Sequence, residues 1–82
     1  MLTKYIQSAL LRARYEVLKD VGSYYGEIRV CRGVFANSSS LELCRSELVE
    51  ALEDWILFRI YKHLPLPKIG GIELNVRKGE RS

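Results

Sequence analysis

Residues 37–61 read NSSSLELCRSELVEALEDWILFRIY, and the fold turns on how this stretch is read. Ser39 followed three residues later by Glu42 has the form of a capping box, and Leu41 opens an apolar run. A helix is expected from there to about Tyr61. Leu41, Cys44, Leu48, Ala51, Leu52, Trp55 and Arg59 fall on one stripe at helical spacing, the face that would cover a sheet. Glu42, Ser46, Glu50, Glu53 and Leu57 lie largely opposite. Pro65, in His63-Leu64-Pro65-Leu66-Pro67, ends the helix, because proline lacks an N–H and pushes the residue before it out of helical geometry. From Trp55 to Tyr61 the sequence is apolar nearly all round, more than one sheet face can cover. In 82 residues little is left to cover it except the first helix or a second chain, and a homo-oligomer, dimer or tetramer, is expected, with Ile56, Leu57, Phe58, Ile60 and Tyr61 at its interface.

Working outward, Thr3 is read as the N-cap of a short helix with Leu2, Ile6, Ala9 and Leu10 on one face, ending near Arg12. The period then changes to two: Ala13, Tyr15 and Val17 alternate with Arg14, Glu16 and Leu18 in a half-buried strand. A turn at Asp20-Val21-Gly22-Ser23 leads to a second strand from Tyr24 to Val30. Gly26 inside that strand marks a bulge or a close backbone approach. Gly33 closes a tight loop before a short third strand from Val34 to about Asn37. Beyond Gly70-Gly71, Ile72 to Arg77 alternates strictly as a fourth strand, and residues 78–82 form a polar tail. The reading is a single α+β domain over residues 1–82, with an N-terminal helix (1–12), a core (13–77) and a tail (78–82). Short turns make the first three strands an antiparallel meander, and a right-handed crossover through the long helix places the fourth beside the first. The expected architecture is two layers with a mixed four-stranded sheet of order 3-2-1-4.

Composition narrows the function. With 82 residues, 48% of them hydrophobic and 28% charged, the chain is neither disordered nor able to hold two cores. Its longest uninterrupted run of large apolar residues, Trp55-Ile56-Leu57-Phe58, is far short of a membrane span, and no signal peptide is recognisable, so a cytoplasmic location is expected. The net charge of +3 is unevenly spread: residues 1–14 and 59–82 are basic and residues 42–58 are acidic. Cys31 and Cys44, without a CxxC, read as buried small hydrophobes, and with one histidine there is no zinc ligand set. No cofactor is expected.

Catalytic constellations are not visible either. Sheet order 3-2-1-4 is the front half of a ribonuclease H-like fold, whose nucleases need several carboxylates converging on metal ions. Here Asp20 falls in a turn and Asp54 on the helix, while Glu16 and Glu27 read as solvated rungs beside Arg14 and Arg29. Ser38, Ser39 and Ser40 have no base partner, and His63 follows a helix end, where it can meet the terminal carbonyls. The chain is not expected to be an enzyme.

Tyr24-Tyr25-Gly26-Glu27-Ile28, Gly33-Val34-Phe35-Ala36, Ser40-Leu41-Glu42, Cys44-Arg45, Glu47-Leu48 and Ala51-Leu52-Glu53-Asp54-Trp55-Ile56 together resemble the HicB family of antitoxins, over about Ala13 to Val76 and including the Leu64-Pro65-Leu66-Pro67 hinge. The resemblance implies a degenerate ribonuclease H-like fold without nuclease activity. It also implies a partner, a HicA-like toxin that cleaves messenger RNA and whose RNA-binding site the antitoxin masks. Many relatives carry a C-terminal DNA-binding module; none follows the fourth strand here, so direct DNA binding is not expected. Candidate partner contacts are Tyr24, Tyr25 and Glu27 on the second strand and Glu47, Glu50, Glu53 and Asp54 on the helix. The alternatives are a small RNA-binding module, using Arg12, Arg14, Arg29 and Arg32 with Tyr24 or Tyr25 as stacking platforms, and a solitary HicB-like interaction domain with no toxin.

Overall fold

The computed structural model describes residues 2–71. Within them the order is α1 (Leu2–Leu11), β1 (Arg14–Leu18), β2 (Ser23–Glu27), β3 (Phe35–Ser38) and α2 (Leu41–Tyr61). The α+β class and the meander are as expected: β1 pairs antiparallel with β2 and β2 with β3, in the order β1-β2-β3. The expected fourth strand from Ile72 to Arg77, the tail, and hence the order 3-2-1-4 lie outside the described residues.

The elements differ from the sequence reading at their ends. The cap of α2 is Ser40 rather than Ser39: Ser40 is extended (φ −142°, ψ 158°), and its Oγ accepts from the Leu43 N–H at 3.1 Å. A capping box needs Glu or Gln three residues after the cap, and that position is Leu43, so no box forms and Glu42 acts only through its charge in the first turn. Thr3 is already helical and cannot be an N-cap, a position that requires extended backbone. The turn between β1 and β2 uses Gly22 at φ 65°, a conformation open to glycine.

One face of the sheet packs under α2. Tyr24, Gly26, Ala36 and Ser38 lie on that side, and the loop residues Ile28, Cys31 and Val34 extend the same buried layer. Cys44, Leu48, Leu52 and Ile56 descend from α2 onto it, and Tyr5 and Ala9 of α1 close the side together with Ile69. Gly26 makes no bulge. It permits close approach instead, because its α-hydrogen faces Cys44 on α2. The helix rests on β2 and β3 and does not reach β1, where Tyr15 and Val17 face the same side as Gly26 and Tyr24 yet remain exposed. The half-buried pattern expected of β1 is therefore not realised among the described residues.

The end of α2 is a Schellman motif. The Leu64 N–H donates to the Arg59 carbonyl at 2.8 Å, and the His63 N–H to that of Ile60 at 3.1 Å. His63 occupies the left-handed position at φ 59°, where glycine is usual and other residues are strained by about 1–2 kcal/mol. His63→Gly is thus expected to raise stability by about 1 kcal/mol, and His63→Val to lower it by at least as much. Urea denaturation of the two variants checks this: a midpoint that falls for glycine would remove the strain assigned to this site.

Candidate functional site

The second face of the sheet carries no packed element among the described residues. The ladder places Arg14, Glu16 and Leu18 of β1, Tyr25 and Glu27 of β2, and Phe35 and Asn37 of β3 on it, with Arg14 opposite Glu27 and Glu16 opposite Tyr25. Tyr25 and Phe35 stack diagonally, with ring centroids 6.3 Å apart and planes 24° from parallel. Phe35 is 58% exposed although Ala36 and Val34 beside it are buried. The Tyr25 hydroxyl donates to Glu27 Oε1 at 3.2 Å, and Arg29 Nε donates to Glu27 Oε2 at 3.1 Å. Partial burial, the bond to Glu27 and the charges of Glu27 and Glu16 all raise the Tyr25 pKa, so its phenol stays a neutral donor. Arg14, Tyr15, Glu16, Tyr25, Glu27 and Arg29 surround a shallow depression of about 210 Å³. The result is an aromatic pair flanked on its β1 and β2 side by mixed charge, an arrangement compatible with a protein contact that has an apolar centre and polar neighbours.

The expected partner contacts do not form one surface. Tyr25 and Glu27 belong to the open face. Tyr24, one residue away, points to the other side and packs half-buried against the core. Glu47 accepts from Ser38 Oγ at 2.6 Å and ties the start of α2 to the end of β3. Glu50, Glu53 and Asp54 are exposed on α2, in the layer away from the open sheet face. The expected oligomer residues divide as well. Ile56, at 1% exposure, belongs to the core, and Ile60 is half-buried against the same core. They fall inward because α1 packs alongside α2 and supplies the second apolar neighbour within one chain. Leu57, Phe58 and Tyr61 remain exposed.

The arginines of the RNA-binding alternative are likewise dispersed. Arg14 and Arg29 stand among the acids of the open face, Arg12 bonds back to Ser8 on α1, and Arg32 borders a groove at the far end of α2. That groove, about 270 Å³, is lined by Val30, Arg32, Trp55, Arg59 and Pro65-Leu66-Pro67. The Trp55 indole N–H donates to the Arg32 carbonyl at 3.0 Å, and the Arg59 guanidinium lies 4.9 Å from the ring centroid. Cys31 and Cys44 are free and buried; burial pushes the Cys31 thiol up to about 11 against the opposing pull of Arg59, so it is no nucleophile near neutrality. Tyr5, its hydroxyl donating to the Pro67 carbonyl, is pushed up to about 12, chiefly by burial. No helix among the described residues is long and apolar enough to cross a membrane.

Residues 4–67 match the UPF0150-like family model. The chain belongs to the UPF0150-like family. That family includes HicB-like antitoxins. Among solved structures, the chain is similar to TTHA0281 from Thermus thermophilus, at 41% identity and a TM-score of 0.86, over 93% of this chain and 94% of that one. No curated protein matches the chain. Within this UPF0150-like fold, the exposed residue that the sequence reading misses is Phe35. Its signal is present in the alternation Val34-Phe35-Ala36-Asn37, which sends Phe35 and Ala36 to opposite faces. Its nearness to Tyr25 depends on a register that the sequence does not state.

Proposed function

We propose that this chain is a HicB-like antitoxin, a non-catalytic protein that binds a HicA-type ribonuclease toxin and masks its RNA-binding site. The observation that carries the reading is the open sheet face, where stacked Tyr25 and Phe35 are flanked on the β1 and β2 side by Arg14, Glu16, Glu27 and Arg29. Aromatic anchors of this kind dominate protein interfaces, and the charges around them set orientation and association rate. Membership of a family that includes HicB-like antitoxins supports the choice of partner. The proposal puts the toxin on the sheet, where the aromatic pair is, and leaves the acids of α2 in the other layer outside the contact.

The test is to induce the small protein encoded beside this chain, alone and together with it, scoring growth and co-purification. Toxicity relieved by this chain, with a stable complex, is the expected result. Phe35→Asp is expected to abolish the complex while leaving the circular dichroism spectrum intact, since Phe35 contributes little to the core. A folded Phe35→Asp protein that still rescues growth would remove the sheet face from the interface. If the neighbour is harmless and no complex forms, the toxin reading fails, whereas steeply salt-dependent RNA binding would favour the alternative module.

A further inference from the structure

Resting on that reading of the open sheet face, we propose that its protein partner also lays an extended strand along the free edge of β3 and so continues the sheet. The phase of the hydrogen-bond ladder defines this edge. The Ile28 N–H donates to the Val34 carbonyl at 3.1 Å, one step beyond the Glu27–Phe35 pair. Bonded and non-bonded pairs alternate in an antiparallel ladder, so Gly26 bonds Ala36 and Tyr24 bonds Ser38. Phe35 and Asn37 therefore turn both N–H and C=O away from β2. Among the described residues no strand lies on that side, and no turn or loop backbone bonds these groups.

The surroundings of the edge identify its occupant. Phe35 and Asn37 are also the β3 residues whose side chains stand exposed on the open face, so the unpaired backbone and the proposed contact share the same two residues. Charge is gathered on the other side of the aromatic pair, at Arg14, Glu16, Glu27 and Arg29 of β1, β2 and the turn after it. Phe35-Ala36-Asn37-Ser38 has neither charge nor proline, and its pairing with β2 runs without a bulge. Open edges are ordinarily guarded by one of these devices, and β3 lacks all of them. A strand laid along β3 would bond the N–H and C=O of Phe35 and again those of Asn37. Its alternate side chains would then stand on the open face, one of them beside Phe35 at cross-strand distance. The fitting segment is therefore extended, with an apolar or aromatic residue opposite Phe35 that enlarges the patch begun by Tyr25.

Amide hydrogen exchange of the intact chain, followed residue by residue by nuclear magnetic resonance, tests the proposal with the small protein encoded beside it as the probe. In the free chain the Gly26 and Ala36 amides are expected to be protected and those of Phe35 and Asn37 to exchange freely. In the complex Phe35 and Asn37 are expected to slow by roughly a hundredfold or more. Asn37→Pro deletes an outward N–H without touching the ladder to β2, as proline can on an edge strand. It leaves a partner carbonyl unsatisfied and is expected to raise the dissociation constant roughly thirtyfold. Asn37→Ala keeps the backbone and is expected to change it less than about fivefold. A complex in which both amides still exchange freely, or in which Asn37→Pro binds as well as Asn37→Ala, would overturn the strand addition and leave the antitoxin reading standing. Protection of both amides in the free chain would overturn it as well, because the edge would then be covered without the partner. If no complex forms, the antitoxin reading fails and the strand addition falls with it.

Discussion

Truncating Leu52 to Ala is expected to cost about 2–5 kcal/mol, whereas truncating the larger Trp55 should cost only about 1–3 kcal/mol. Leu52 has no exposed surface and lies at the centre of α2, among the core side chains contributed by the sheet, its loops and α1. Removing its methyls leaves a void that the surrounding elements cannot fill without moving as a body. A domain of this length holds about 5–15 kcal/mol or less, so such a loss unfolds a large fraction of the protein at physiological temperature. In the sequence both residues fall on the stripe expected to cover the sheet, and tryptophan in such a stripe reads as a buried anchor. In the structure Trp55 is half-buried at the rim of an open groove. Its truncation forfeits the bond to the Arg32 carbonyl and the cation–π contact with Arg59, and water replaces the indole instead of a cavity forming. Urea titration of both variants decides the order. A Trp55→Ala protein less stable than Leu52→Ala would place the indole in the core after all.

The same contrast shows what the chain discloses before its structure is known. The stripe of Cys44, Leu48 and Leu52 is legible because helical periodicity is local, and so are the meander and the end of α2 before Pro65. Which of two adjacent serines caps the helix is not legible. Both are compatible with the start signal, and the choice is made by where β3 ends and by the bond from Ser38 to Glu47. Ile56 and Ile60 are misread as interface residues for a related reason. The apolar turn from Trp55 to Tyr61 calls for a second neighbour, the first helix or a second chain, and only tertiary packing shows which of its residues α1 covers. The candidate site is half visible: Tyr25 and Glu27 are grouped with Tyr24, although alternation along a strand sends Tyr24 to the opposite face. The acids of α2 stand out as a charge run and prove remote from the aromatic pair, since charge in sequence carries no information about layer.

Gly26→Val is the second substitution expected to have a large effect, and it separates the two faces of the sheet. A Cβ at Gly26 would lie 2.9 Å from two Tyr15 ring carbons and 3.1 Å from Cys44 Sγ. Tyr15 is exposed on β1 and can swing aside, but Cys44 is fully buried on α2, its thiol directed at the Ala36 carbonyl at 3.7 Å. Valine adds two further methyls against that sulfur, so α2 must lift from β2, at about 1–3 kcal/mol for an overpacked core. The higher strand propensity of valine returns at most about 1 kcal/mol of this. Combining the change with Cys44→Ala opens the space that the sulfur occupied, and the cost of Gly26→Val should then fall to less than half in a double-mutant cycle. An unchanged cost in that background would mean that the sulfur is not the obstacle and that the close approach of α2 is set elsewhere. Because Tyr25 and Glu27 project from the opposite side of the strand, Gly26→Val protein held below its melting temperature is expected to keep the proposed toxin contact while Phe35→Asp loses it. That pairing sets the face of the sheet that holds the fold together against the face proposed for recognition, across two neighbouring strands.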